Sequence, residues 1–184
     1  MLYIIGGAAR SGKTLLSRKI VSEMGVPYFP LDALFRALAK GAPELGLAQY
    51  DTPMERPLKI WPITQHLFSY FLRDELKFLI EGDSILPSQV KELVSVPESI
   101  KCCFFGYSET TKEEKLAKVI RYRQGNTDWT KEIHNERMLE MIDRMIDFSK
   151  YLKEECFKYG IKYFDVSHDF NGPHEAAFKY LFEE

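Results

Sequence analysis

The stretch Gly7-Ala8-Ala9-Arg10-Ser11-Gly12-Lys13-Thr14 constrains this chain more than any other. It follows the apolar run Leu2–Ile5 and opens a segment of helical periodicity, so a strand, a tight loop and a helix are expected in that order. Glycines let backbone wrap closely round an anion and turn several N–H groups inward. A helix starting near Gly12 adds the positive end of its dipole. Lys13 supplies a mobile charge for the terminal phosphates of a nucleotide, and the Thr14 hydroxyl suits a Mg²⁺ ligand. Gly7, Ala8, Ala9, Arg10, Ser11, Gly12, Lys13, Thr14 and Leu15 are therefore the candidate lining of a phosphate cradle.

Beyond the cradle, short apolar runs alternate with longer amphipathic stretches, the pattern of βαβ units on a parallel sheet. Strands are expected at 2–6, 26–31, 77–81, 101–106 and 161–166. The second is the weakest, because Pro27 and Pro30 suit only strand ends or an irregular edge. Helices are expected at 12–24, 32–40, 64–76, 87–95, 110–123, 131–158 and 173–183. Ser108 or Thr110, with Glu113 or Glu114, marks the start of the fifth helix. Between 41 and 63 four prolines break the pattern, and an irregular segment of that length is usually functional.

Length and composition exclude several classes. A chain of 184 residues suits one domain with a substantial core. Its net charge of −2 supplies no global basic field, so no nucleic-acid partner is expected. Cys102, Cys103 and Cys156 lack metal-site spacing and read as reduced thiols of a cytoplasmic protein. No apolar run approaches the ~18 residues of a membrane span, and no basic segment precedes the first apolar run as in a signal peptide.

Ligands of open parallel sheets bind beyond the carboxyl ends of the strands. Asp32 closes "VPYFPLD", and Glu81 closes "KFLIEGD", with Asp83 just beyond. A carboxylate after an apolar strand can orient Mg²⁺-bound water, the role assigned to Glu81, with Asp83 as its alternate. Asp32 is the candidate acceptor-side base or anchor, or else the cap of the following helix. Asp83 is the other candidate base.

With its cradle, strand-end acids and alternating pattern, the chain resembles the P-loop small-molecule kinases, a group including nucleoside, nucleotide and shikimate-type kinases. The resemblance implies a three-layer α/β/α fold with a five-stranded parallel sheet in the order 2-3-1-4-5. It implies one domain over 1–184, with an acceptor-binding insertion near 33–76 and a lid near 121–137. It further implies an ATP- and Mg²⁺-dependent transfer of the γ-phosphoryl group to a small metabolite such as a nucleoside, nucleotide or related hydroxyl compound. The segment "LDALFRALAKGAPELG" is similar to the nucleoside-monophosphate segment of adenylate kinases, which puts Arg36 at the acceptor phosphate. "FLIEGDSILPSQV" is similar to that family's third strand and turn, which puts Gln89 at the acceptor base. The lid arginines would be Arg121 and Arg123, with Arg137 reaching in from the next helix.

The sequence also departs from that family. Ile85 stands where a second arginine clamps the acceptor phosphate, and a hydrophobe provides no such fork. Val119 stands where the family often carries the first of two arginines before the lid. A P-loop NTPase switch without a small-molecule acceptor is the alternative reading, although the N-K-x-D guanine signature is absent. Apolar faces on 64–76 and 131–158 serve either core or interface, so a monomer or a homodimer is expected.

Overall fold

The computed structural model describes residues 1–48, 51–74, 76–93, 99–122 and 129–183. Its elements run β1 (Leu2–Gly7), α1 (Lys13–Met24), β2 (Tyr28–Pro30), α2 (Leu31–Gly41), α3 (Glu55–Arg73), β3 (Phe78–Gly82), α4 (Pro87–Leu93), β4 (Ile100–Gly106), α5 (Lys112–Arg121), α6 (Asn135–Tyr159), β5 (Lys162–Asp165) and α7 (Asn171–Phe182). Short 3₁₀ turns occupy Pro43–Leu45 and Trp129–Glu132.

All five strands pair in parallel in the order β2-β3-β1-β4-β5, as expected. β1 is central and buried at every position, which is why it reads as an unbroken apolar run. β2 is a three-residue edge strand ending at Pro30, where a missing N–H costs no ladder bond. Helices flank both faces: α1 and α7 pack on each other, while α6 covers β4 and β5 and touches α4 and α5. The continuous core runs from Ile4 and Ile5 through Leu79, Phe104 and Phe105 to Leu152. Phe35, Leu47 and Ile60 form a separate small cluster that ties the 33–60 region together.

The main departure from expectation lies in the proline-rich region. α3 opens at Glu55 rather than at residue 64, so much of the expected irregular segment is helical. Pro57 falls in the first turn, whose N–H groups have no intrahelical acceptor in any case. Pro62 removes an interior bond to the Leu58 carbonyl, but Leu58 is 59% exposed and that turn faces solvent. Ile60, Thr64, Phe68 and Phe71 make one buried stripe along α3. Burial of that stripe outweighs the proline penalty of about 3 kcal/mol.

Other boundaries move less. α5 is capped by Thr111, whose hydroxyl accepts from Glu114 N while the Glu114 carboxylate accepts from Thr111 N. The capping box thus pairs Glu114 with Thr111 in place of the expected Ser108 or Thr110. α2 begins at Leu31 with Pro30 before it, so Asp32 lies in the first turn and is not the cap.

Candidate active site

The cradle is built by backbone. Gly12 has φ 91°, and a Cβ there would stand 2.5 Å from both His174 Nε2 and Phe170 Cζ. Only glycine fits, for space and for conformation alike. Arg10 also takes a left-handed φ of 63°, which bends the loop so that successive N–H groups converge. Lys13 is buried, with Nζ donating to Ala8 O at 2.9 Å. Ser11 Oγ is buried with no partner among the described residues. Thr14 and Leu15 are exposed at the opening of α1.

The acids arrive through sheet register. β1 pairs Ile5 with Glu81, and β2 pairs Pro30 with the same Glu81. Two residues beyond each partner of the latter pair, Asp32 and Asp83 emerge side by side. Gly82 permits this approach: a Cβ there would lie 2.8 Å from Leu31 Cβ and 3.3 Å from Asp32 Oδ1. Asp83 N donates to Asp32 Oδ1 at 3.4 Å. On the cradle side, Thr14 Oγ1 donates to Glu81 Oε2 at 3.3 Å. A hydroxyl and a carboxylate beside Lys13 form a donor set that fits Mg²⁺ completed by phosphate oxygens and water.

Three carboxyls, buried Glu81 and Asp83 and half-buried Asp32, share this site unequally. Burial, then the neighbouring Asp83 charge, pushes Asp32 up to about 7. Burial also raises Glu81, opposed by Lys13. Burial pushes Asp83 up, but Lys13, Arg56 and the Asp32 hydrogen bond outweigh it and hold it below the usual carboxylate range. The first proton therefore resides on Asp32, and Asp83 is its charged partner. Arg56 Nη1 stands 3.4 Å from Asp83 Oδ2, and its guanidinium lies over the Phe35 ring, 5.2 Å from the centroid.

The remaining sequence candidates fall at varied distances from this centre. Gln89 is buried, its Oε1 accepting from Leu86 N and its Nε2 donating to Pro57 O. Its amide ties α4 to the start of α3, in place of the open base-reading face expected from sequence. Ile85 is buried in the main core. Arg36 is exposed on α2. Arg121 is exposed at the end of α5 with its guanidinium over the Tyr122 ring, and Arg137 is exposed on α6. Arg123 lies outside the described residues.

Sequence reasoning missed the groups behind the cradle. Tyr107 Oη donates to Ala9 O at 2.9 Å, and Lys115 Nζ donates to Arg10 O at 3.0 Å. His174, stacked on Phe105 and tilted against Phe170, presses on Gly12. The available signal for Lys115 was positional, since it shares the buried face of α5 with Val119.

No protein-family model matches the chain, and no curated protein is similar to it in sequence. Solved structures do match. A shikimate kinase from Bacteroides thetaiotaomicron is 12% identical with a TM-score of 0.59, over 100% of this chain and 97% of that one. A gluconokinase from Sinorhizobium meliloti is 16% identical with a TM-score of 0.57, covering 99% and 91%. A sugar kinase from Janibacter sp. is 14% identical with a TM-score of 0.57, covering 98% and 93%. Among the described residues no helix is long and apolar enough to cross a membrane. The likeness spans the whole chain at low identity, and the protein has the fold of the P-loop small-molecule kinases.

Proposed function

We propose that the protein is an ATP- and Mg²⁺-dependent kinase that phosphorylates a hydroxyl of a small polyhydroxylated metabolite. The observation that carries this reading is convergence at one sheet edge. A phosphate cradle with Lys13, a Thr14–Glu81 metal-binding pair and the Asp32–Asp83 carboxylate pair meet there. An NTPase switch needs the first two and has no use for the third. The structural neighbours named for shikimate, gluconate and sugar substrates support an acceptor with several hydroxyls.

In this reading Gly7 to Thr14 hold the β- and γ-phosphates, with Lys13 neutralising charge between them. Mg²⁺ at Thr14 and Glu81 supplies further positive charge against the phosphate oxygens when bound. Deprotonated Asp32 accepts the proton of the acceptor hydroxyl. The acceptor oxygen bonds to the γ-phosphorus, the β–γ bridging P–O bond breaks, and its electron pair leaves with ADP. Asp83 and Arg56 face the acceptor, where the carboxylate suits a second hydroxyl and the guanidinium an anionic group. Arg121 and Arg137 are the described lid residues that close on the transferring group, and Arg36 borders the acceptor entrance. The acceptor region spans about 33–76.

ADP release measured across a panel of polyols, sugar acids, sugars and nucleosides tests the proposal. Turnover is expected to be slow with ATP alone and to rise with one polyol-type member. Substantial acceptor-independent hydrolysis with no responsive member would replace the kinase by the NTPase switch.

A further inference from the structure

The cradle rests on two side chains that are not part of the glycine–lysine motif. Across a trans peptide, the carbonyl of one residue and the N–H of the next point in opposite directions. A donor on the outer carbonyl therefore fixes where the following N–H points. Tyr107 Oη holds Ala9 O, which aims the N–H of Arg10 the opposite way. Lys115 Nζ holds Arg10 O, which does the same for the N–H of Ser11. These two peptides flank the left-handed Arg10, the conformation that makes neighbouring N–H groups converge on an anion.

Lys115 is also a charge in an unusual place. It is buried on α5 with its ammonium 3.7 Å from the centroid of the Tyr107 ring, whose hydroxyl makes the companion bond. Lys118 on the same helix, Arg10 and Lys13 in the cradle, and Asp165 at the end of β5 all act on it, and only Asp165 is an acid. An anion in the cradle would change that balance.

We propose that Lys115 and Tyr107 are positioning residues of the nucleotide site, holding two consecutive cradle peptides with their N–H groups toward the phosphates, and that Lys115 takes up its proton when the phosphates bind. The inference rests on the cradle's being a nucleotide site. Burial, then repulsion by Lys118, Arg10 and Lys13, brings Lys115 down to about 7 in the free protein. Below that pH Lys115 is already charged and binding needs no proton. Above it the free protein must gain a proton to bind, so affinity falls as pH rises. An arginine at this position stays charged throughout.

The test is calorimetric binding of Mg²⁺ and a non-hydrolysable ATP analogue at about pH 6 and about pH 8.5, bracketing the free-protein value. Wild type, Lys115→Met, Lys115→Arg and Tyr107→Phe are compared. At the lower pH wild type is expected to bind on the order of tenfold more tightly than Lys115→Met, the weight of one charge-assisted hydrogen bond. At the higher pH that advantage shrinks toward unity, while Lys115→Arg keeps its affinity across the range. Tyr107→Phe, which keeps the ring but loses the bond to Ala9, weakens binding a few-fold at both pH values, roughly one neutral hydrogen bond. A wild-type to Lys115→Met ratio that is the same at both pH values, or equal to one at the lower, overturns the inference. An unchanged Tyr107→Phe overturns it for Tyr107. If Lys115→Arg fails to fold, the pH dependence of the wild-type to Met ratio decides. Wild type that binds no analogue at either pH refutes the nucleotide site itself, a separate result.

Discussion

The two halves of the proposed site are made of different material. The donor half, Gly7 to Thr14, is backbone: a helix start, three positive-φ residues (Gly7, Arg10 and Gly12) and carbonyls held by Tyr107, Lys115 and Lys13. The acceptor half is side chain: Asp32, Asp83 and Arg56 come from α2, the end of β3 and α3, and Asp32 and Asp83 meet through strand register. A backbone site tolerates varied residues at its free positions but is exacting about glycine and about outside bracing. A side-chain site depends on the alignment of segments about fifty residues apart, and a single Cβ at Gly82 can disturb it.

That contrast can be broken from either side. Replacing Lys13 removes the buried side-chain charge of the donor half. Lys13→Ala is expected to cut acceptor-dependent turnover by roughly 10³-fold or more, the scale of a cation stabilising phosphoryl transfer. Steady-state ADP release measures it, and a loss below tenfold would remove Lys13 from the chemistry. Asp32→Asn keeps the shape of the acceptor half but removes the proposed base. A fall of about 10²–10⁴-fold in kcat is expected, with nucleotide affinity retained. A threefold effect or less would leave Asp32 as a helix-start residue only.

Gly82→Ala separates the halves more gently. Its Cβ meets Leu31 Cβ at 2.8 Å, so β2 and α2 must shift from β3. A stability loss of about 1–3 kcal/mol is expected, with a raised KM for the acceptor and little change in nucleotide Kd. Equal losses at donor and acceptor would show that the halves are not independent. The smallest effect concerns pH. Asp32 must be deprotonated to act, so kcat/KM for the acceptor should rise through about pH 7, the value to which burial and then Asp83 bring it. Asp83→Asn removes a negative neighbour that favours the protonated form, so this rise should move to lower pH. A shift to higher pH, or none, would uncouple the pair.

Legibility followed the same division. The first strand, turn and helix and the sheet order agreed with expectation because each rests on local signals: glycine spacing, unbroken apolar runs and their alternation with amphipathic stretches. Glu81 and Asp83 were found at a strand end, yet their pairing partners were not foreseeable. Asp32 looked equally like a helix cap, and only the start of α2 at Leu31 resolved that reading. The prolines of α3 misled because local propensity counts every proline as a break. Tertiary burial of Ile60, Thr64, Phe68 and Phe71 instead made that stretch a helix. Gln89 carried the right residue type for reading a base, but its amide went to Leu86 and Pro57.

By itself the sequence determined that a glycine-rich turn follows a buried strand and opens a helix within a parallel α/β domain. Glycine conformation, strand hydrophobicity and helix starts are properties of contiguous residues, so they are written in order along the chain. Tertiary structure alone decided which carboxylate holds the first proton, which arginine faces Asp83 and which lysine supports the cradle. Those outcomes depend on the mutual burial and charge of groups far apart in sequence, set by β2–β3 register and by α5 packing behind the loop.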